Sequence, residues 1–259
     1  MPDESSTPVY TAFWLYRADP QWRRLPQEER SSRKREFVAA LDHRDPSITL
    51  RGAYSLVGLR DDADFLLWAH GPDLDALQRL AVDLSHSGLG AYLTSAYTYI
   101  GVTGAARYDP EHRPSFMRGL APLNYISMYP FVKTPEWYLL PYEQRKDLMA
   151  EHGRLGRRYT VPRPLPQGGE SQTGNGTRTA TATAVATEAY PTGSILTNTV
   201  DAFGLGDFEF IVAFESNDAS EICRMIEELR AADVRRYTKL DTPIFLGRRR
   251  EPADVLADL

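Results

Sequence analysis

The segments DPQWRRLPQEER at 19–30 and TPEWYLLPYEQR at 134–145 follow one pattern, and this repetition decides how the chain is organised. A tryptophan, a leucine–proline pair and a glutamate recur at the same spacing, 115 positions apart. The matched residues are Pro20, Trp22, Leu25, Pro26, Glu28 and Arg30 in the first segment and Pro135, Trp137, Leu140, Pro141, Glu143 and Arg145 in the second. Because proline is favoured in the first turn of a helix, both segments predict the entry into a helix.

A second pair of segments repeats further along the chain. GLRDDADFLLWAH at 58–70 resembles GLGDFEFIVAFES at 204–216, and Gly58 matches Gly204 at an offset of 146. The two offsets, 115 and 146, differ by 31 residues, so the second copy contains an insertion of that length between its two motifs. Residues at about 162–194 are rich in Gly, Ser, Thr and Pro and lack hydrophobic periodicity, which is typical of a loop. Both a functional, mobile segment and a tolerated surface insertion fit this composition.

Hydrophobic patterning predicts the same order of elements in each copy. The first copy reads as a strand near 9–17, a helix from Pro26 to about Leu41, strands near 52–58 and 64–69, a helix from Asp73 and a strand near 96–102. The second copy reads as a strand near 122–131, a helix from Pro141, strands near 195–202 and 208–214, a helix capped by Asp218 and a strand at 242–247. Each half is β-α-β-β-α-β, the ferredoxin-like arrangement. The predicted fold is therefore α+β, with duplicated ferredoxin-like halves at 1–108 and 109–259 forming a dimeric α/β barrel within one chain.

Composition excludes several classes of protein. The 259-residue chain carries a net charge of −5, which does not suit binding to nucleic acid. Its single cysteine, Cys223, excludes internal disulfides and zinc sites with several thiolates, and its apolar helical surroundings predict that it is buried. There is no secretory signal pattern and no apolar run of 18 residues, so we expect a cytoplasmic protein without a membrane span.

A histidine stands on the apolar stripe of the helix predicted in the second copy. In LMAEHGRLGRRY at 148–159, His152 shares a helix face with Leu148, Met149 and Leu155. The first copy has Phe37 at the matching position, so the fold itself does not require an imidazole there. A core histidine and a metal or haem ligand both remain open. Gly153 and Gly156 favour the close approach of a flat group to the helix.

The strand before this helix carries a second group of candidate residues. In NYISMYPFVK at 124–133, Tyr129 and Lys133 share one face if the alternation of side chains holds through Pro130. Pro130 cannot donate a hydrogen bond to a neighbouring strand, so it indicates an edge or a distortion. Packing and a functional cavity are both compatible with this face. The other histidines show no spacing typical of metal ligands.

The sequence resembles a known family at these motifs. MYPFVKTPEWYLLPYEQRKDLMAEHGRLGRRY at 128–159 is similar to the signature of the chlorite dismutase-like superfamily, and within it to the coproheme decarboxylases. Four further segments are similar to that family in the same order: FWLYRADPQWRRLPQEER, YSLVGLRDDADFLLW, GLGDFEFIVAFE and RRYTKLDTPIFLG. The resemblance covers nearly the whole chain apart from the first residues and the insertion.

The resemblance implies a function and a set of residues. The expected reaction is hydrogen-peroxide-dependent oxidative decarboxylation of iron-coproporphyrin III, which is both substrate and cofactor, to haem b. The proximal iron ligand falls on His152, the radical-forming tyrosine on Tyr129, and the propionate-binding residues on Lys133 and Arg230. Such proteins assemble as homopentamers, with the haem site in the C-terminal half.

Two departures from the family pattern qualify this expectation. Thr197 stands where many members carry a distal glutamine, and Arg235 stands where some carry a serine near the propionates. Two alternatives therefore stay open. One is a haem-binding protein acting as a weak peroxidase, carrier or sensor, and the other is a structural member of the fold without haem.

Overall fold

The structure is a computed structural model that describes residues 7–103, 113–160 and 195–259. The predicted insertion at 162–194 and the predicted boundary between the halves at 108–109 lie outside the described residues.

The elements follow the predicted order in both halves. The first half comprises β1 (Tyr10–Ala18), α1 (Gln27–Asp42), β2 (Thr49–Ser55), β3 (Phe65–Gly71), α2 (Leu74–His86) and β4 (Leu93–Val102). The second half comprises β5 (Tyr125–Lys133), α3 (Pro135–Leu139), α4 (Tyr142–Gly156), β6 (Leu196–Asp201), β7 (Phe210–Ser216), α5 (Ala219–Arg230), β8 (Thr238–Leu240), β9 (Phe245–Arg250) and α6 (Pro252–Ala257). Short 3-10 turns lie at Trp22–Arg24, Gly90–Tyr92, Ser115–Arg118 and Asp233–Tyr237.

The strand order is the same in both halves, and the halves close on each other. The order is β4-β1-β3-β2 in the first half and, read in the same direction, β9-β5-β7-β6 in the second, with antiparallel pairing throughout. Across the halves, β2 pairs with β9 and β4 pairs with β6, so the two sheets form one ring. The predicted α+β class and barrel arrangement are confirmed.

Strand pairing is equivalent in the two halves, although the connection before the partner strand is one residue shorter in the second half. Seven positions separate Gly58 from Phe65, and six separate Gly204 from Phe210. Tyr16 pairs with Phe65 in the first half, and the residue 115 positions after Tyr16, Phe131, pairs with Phe210 in the second. The turns before these partner strands contain Gly58 and Gly204, with φ of 77° and 73°. Glycine adopts this left-handed conformation without a steric penalty, which explains why both motifs carry it.

Helix starts and core layers follow from the same pattern. Asp73 and Asp218 cap α2 and α5, and each accepts a hydrogen bond of 2.9 Å from the backbone N–H two residues further on. One apolar cluster fills the space between the first half's sheet and its helices, and includes Phe37 of α1. A second cluster draws on the other face of the strands in both halves, including Phe13 and Met128.

One buried ion pair joins the two halves. Nη2 of Arg51, on β2, lies 2.6 Å from Oε2 of Glu215, on β7, and the two side chains are 6% and 0% exposed. Tyr54 Oη and Asn198 Nδ2 also donate to the Glu215 carboxylate, at 3.2 and 3.3 Å. Burial nevertheless raises the pKa of Glu215 above its usual value, because the low dielectric of the interior disfavours the carboxylate.

One feature differs from the sequence-based expectations. Cys223 is exposed, not buried, because the buried side of α5 is formed by Ile222 and Met225. The final arginine run, Arg248 to Arg250, lies on β9 and pairs with β2. Within the described ranges, no helix combines the length and the apolar character needed to cross a membrane.

The buried ion pair yields a stability prediction. Arg51→Met leaves Glu215 buried without its cation, so we expect the free energy of unfolding to fall by about 3–5 kcal/mol. The control is Arg79→Met, because Arg79 is 60% exposed and its ion pairs with Asp45 and Asp73 should contribute at most about 1 kcal/mol. Denaturant unfolding measures both values, and equal losses in the two variants would contradict the assignment.

Candidate functional site

The outer face of β5 carries the tyrosine and the lysine singled out from the sequence. Ser127, Tyr129 and Phe131 pair with alternate residues of β7, so their side chains share one face. At Pro130 the strand changes neighbours on its other edge, since the pairing with β9 ends at Met128 and the pairing with β8 begins at Val132. Pro130 therefore sits beside a break between β9 and β8, as its missing N–H predicts.

Tyr129 is buried in a small apolar cluster below this face. Its side chain is 9% exposed, and its ring centroid lies 6.1 Å from that of Phe214. Burial raises the pKa of Tyr129 well above its usual value; the Asp241 carboxylate raises it further, while Arg230 and Arg235 oppose the shift. The phenol is therefore protonated and neutral at physiological pH.

Lys133 is a buried cation held against aromatic rings. It is 9% exposed, and its ammonium lies 4.3 Å from the ring centroid of Trp137 and 5.1 Å from that of Phe131. In the part of the chain that the structure describes, no carboxylate lies within ion-pair distance of its Nζ. Burial lowers the pKa of Lys133 to about 8. The Glu209 carboxylate opposes this shift, and the Arg235 guanidinium adds to it. A buried ammonium in this position favours the binding of an anion.

Glu209 supports the end of β5 next to Lys133. Its Oε2 accepts hydrogen bonds from the backbone N–H of Lys133 at 2.7 Å and from Oη of Tyr138 at 2.6 Å. Neither the sequence pattern nor the resemblance pointed to Glu209 or to the contact between Lys133 and Trp137.

Helix α4 differs from its counterpart α1 in the way it packs. Phe37 and Leu41 of α1 are buried, whereas α4 buries no residue completely. Leu148, Met149 and Leu155, which flank His152 on the helix face, contribute to the apolar cluster around Trp137. His152 is half-buried, and its Nδ1 atom is shielded from solvent. The stripe that carries His152 therefore adjoins the aromatic ring on which Lys133 rests.

Packing gives no reason for the two glycines beside His152. A Cβ built at Gly156 would meet no atom within 4 Å, and one at Gly153 would meet only the flexible Arg157 side chain, at 3.2 Å. Both positions have room for a side chain that the sequence does not supply. This open space is compatible with the approach of a flat group to α4.

Two arginines and one aspartate complete the charged groups near Tyr129. Asp241 accepts from Nη1 of Arg235 at 2.8 Å, and the same carboxylate oxygen pairs with Nη1 of Arg230 at the end of α5. Arg230 therefore lies where its charge lowers the pKa of Tyr129. Asp241 was not predicted, and Arg235 had been noted only as a departure from the family pattern.

Thr197 lies on β6 and pairs with Phe214 of β7, so it belongs to the outer face that also carries Tyr129. Its backbone N–H and C=O are both bonded to the hydroxyl group of Ser115, at 3.1 Å. In ranges 7–103, 113–160 and 195–259, no group of three or more His, Cys, Asp or Glu side chains is placed to hold a metal ion.

The sequence as a whole matches one protein family. The sequence profile described as chlorite dismutase matches residues 27–163 and 183–250 of the chain. Because these ranges span most of its length, the protein belongs to the chlorite dismutase family. The predicted family is confirmed.

The chain is also similar to individual members of this family. A coproheme decarboxylase from Mycolicibacterium smegmatis is 34% identical over 216 residues, which are 83% of this chain and 79% of that protein. The chlorite dismutase from Candidatus Nitrospira defluvii in complex with imidazole has a TM-score of 0.76 and 22% identity, covering 96% of this chain and 94% of that one. A tryptophan-to-phenylalanine variant of the same enzyme in complex with cyanide also has a TM-score of 0.76, with 21% identity and coverage of 96% and 93%. At this identity the two solved structures support the fold alone.

The buried ammonium yields a prediction about pH and stability. Lys133→Met removes a buried charge, so we expect the free energy of unfolding of the ligand-free protein to rise at pH 7. The gain should be at most about 3.5 kcal/mol, since the pKa falls from 10.5 to about 8 and one pKa unit corresponds to about 1.4 kcal/mol. A lysine whose folded pKa is about 8 and whose unfolded value is 10.5 destabilises the fold most below pH 8. The gain should therefore shrink as pH rises from 8 towards 10.5.

Denaturant unfolding across this pH range measures the effect. Lys146→Met is the matched control, because Lys146 lies on α4 and its side chain is 53% exposed. A gain that does not vary with pH, or one that the control reproduces, would show that Lys133 is not a destabilising buried cation.

Proposed function

We propose that the protein catalyses the oxidative decarboxylation of two propionate groups of iron-coproporphyrin III, yielding haem b, with hydrogen peroxide as the oxidant. The observation that carries the proposal is that β5 holds both a neutral buried phenol, at Tyr129, and a buried ammonium, at Lys133. The ammonium lies over the ring of Trp137. The 34% identity to a coproheme decarboxylase supports the same reaction.

The residues fit a flat, anionic substrate on the outer face of the second half. Helix α4 buries no residue and carries two glycines without a packing role, which leaves room for a planar macrocycle against it. Lys133, Arg230 and Arg235 supply positive charge for the propionates. His152 is the candidate iron ligand on α4, in place of the phenylalanine that fills the same position in α1.

The iron of the bound substrate would supply, together with peroxide, the oxidising equivalents of the reaction. Each propionate, –CH2–CH2–COOH, becomes a vinyl group and CO2 by losing two hydrogen atoms, and one molecule of peroxide takes them up to give two molecules of water. Two rounds therefore consume two molecules of peroxide.

Tyr129 and Lys133 have separate tasks in this scheme. Tyr129, kept protonated by burial, would lose an electron and a proton to become a neutral radical, and would then regain a hydrogen atom from the β-carbon of the propionate. A phenylalanine has no O–H bond with which to do this. Lys133 would hold the carboxylate close to the phenol by a charge-assisted hydrogen bond, which also fixes which carbon faces Tyr129.

An alternative within the same family is a haem-binding protein acting as a weak peroxidase, carrier or sensor. Thr197, which stands in place of the distal glutamine and cannot present an amide to peroxide, is the feature that favours it. Assembly as a homopentamer stays a prediction from the resemblance, and a cytoplasmic location stays a prediction from the composition of the sequence.

Tyr129→Phe tests the reaction. We expect the variant to bind iron-coproporphyrin III with an unchanged Soret band but to release no CO2 on stepwise addition of peroxide, because the radical cannot form. Mass spectrometry of the pigment should show two successive losses of CO2 and two hydrogens in the wild type and none in the variant. Tyr125→Phe, on the same strand, is the control and should retain turnover. Turnover in Tyr129→Phe would remove Tyr129 from the mechanism, and wild-type binding without any mass loss would favour the carrier.

His152→Ala tests the iron ligand. We expect a shifted Soret band and at least tenfold weaker binding of iron-coproporphyrin III, since the iron loses its protein ligand. The iron-free porphyrin should bind wild type and variant alike. His43→Ala, at the exposed end of α1, serves as the control. Unchanged binding and an unchanged spectrum in His152→Ala would remove His152 as the iron ligand, and no binding by the wild type would favour the structural alternative.

A further inference from the structure

Asp241 occupies a particular place relative to the break in the edge of β5. It follows Leu240 directly, and Leu240 pairs with Val132 of β5. Since the pairing is antiparallel, the chain beyond Leu240 runs back along β5 towards Tyr129. It follows the stretch of β5 between Val132 and Met128, where the pairing with β9 begins. Asp241 is thereby placed beside the stretch that carries the phenol.

The Asp241 carboxylate holds two guanidinium groups at once. Both Arg230, at the end of α5, and Arg235, in the turn Asp233–Tyr237, reach its Oδ2 oxygen, although they come from different elements. The aspartate side chain is only 15% exposed, whereas each arginine side chain is 38% exposed. The carboxylate is therefore the inner member of the group, and the guanidinium groups remain accessible to a ligand.

The guanidinium groups of Arg230 and Arg235 carry more positive charge and more N–H donors than the Asp241 carboxylate can satisfy. Two guanidinium groups and one carboxylate leave a net charge of +1, and each guanidinium has five N–H donors. Lys133 lies close enough for Arg235 to lower its pKa, and Arg235 acts on Tyr129 as well. Arg235 is therefore within electrostatic reach of both residues to which the proposed reaction assigns a task.

We propose that Asp241 positions Arg230 and Arg235 as a paired guanidinium site for substrate carboxylates, and that Arg235 binds a propionate of its own. The inference rests on the proposed function and goes beyond it, because it makes Arg235 a specificity-determining residue and Asp241 a positioning residue. The site selects a porphyrin with more than one carboxylate at the edge next to Tyr129. A neutral porphyrin of the same shape gains nothing from it.

The first experiment measures the binding of iron-free coproporphyrin III and of its neutral tetramethyl ester by fluorescence, in one detergent-containing buffer. Without iron, ligation by His152 does not contribute. We expect Arg235→Gln to weaken binding of the tetra-acid about tenfold or more, as for a lost charge-assisted hydrogen bond, and to leave binding of the ester within about twofold. Arg236→Gln is the matched control, because Arg236 is the next residue, is 80% exposed and pairs with Asp233.

The second experiment separates positioning from net charge. Asp241→Asn makes the site more positive, so a purely electrostatic site would bind the tetra-acid more tightly. A site that needs its guanidinium groups held in place should bind it several-fold more weakly, and this is the expected result. Unchanged or tighter binding would overturn the role of Asp241.

The outcomes distinguish this inference from the proposed function. Suppose that the wild type binds the tetra-acid. If Arg235→Gln binds it equally well, or if its affinities for the tetra-acid and the ester fall by the same factor, the inference fails and the proposed function stands. If the wild type binds neither pigment, both fail. Circular dichroism and the thermal midpoint show whether each variant is folded, and Arg235→Lys, which keeps the charge, should recover part of the affinity.

Discussion

Each edge of an open sheet exposes unpaired N–H and C=O groups, and the arrangement of this protein follows from the way those edges are covered. The halves cover each other, since β2 pairs with β9 and β4 pairs with β6. Closing the ring turns one face of every strand inward, where residues of both halves share a core and Arg51 meets Glu215. The inner face is therefore constrained by both halves, whereas the outer faces are able to diverge. The outer face of the first half is covered by α1, α2 and α6.

The outer faces have diverged at equivalent positions. In the first half Trp14 pairs with Leu67 on the outer face, and in the second the corresponding pair is Tyr129 and Val212. Each replacement is smaller, and the helix above contributes a half-buried His152 where the first half has a fully buried phenylalanine. The first half thus fills its helix–sheet layer with apolar side chains, including those of α6, whereas the second leaves space and polar atoms on the same framework.

Electrostatics give that space its chemical character. Tyr129 stays neutral because burial disfavours the phenolate, while Lys133 is buried beside aromatic rings and Glu209 only partly offsets its burial. Arg230 and Arg235 share one carboxylate, so positive charge is in excess near the phenol. A neutral phenol next to two arginines that share one carboxylate suits a substrate that presents carboxylates.

The sequence by itself determined the duplication, the order of elements and the identity of Tyr129, Lys133 and His152 as candidates, through local patterns and a comparison between two copies of one motif. The family and Arg230 as a candidate followed from the resemblance of these motifs to a known family. Only the tertiary structure decided that Cys223 is exposed, that the final arginines form a closing strand, and that Asp241 joins two arginines from different elements. Those properties depend on which surfaces meet after the ring closes, and contacts between distant segments leave no periodic signal in the sequence.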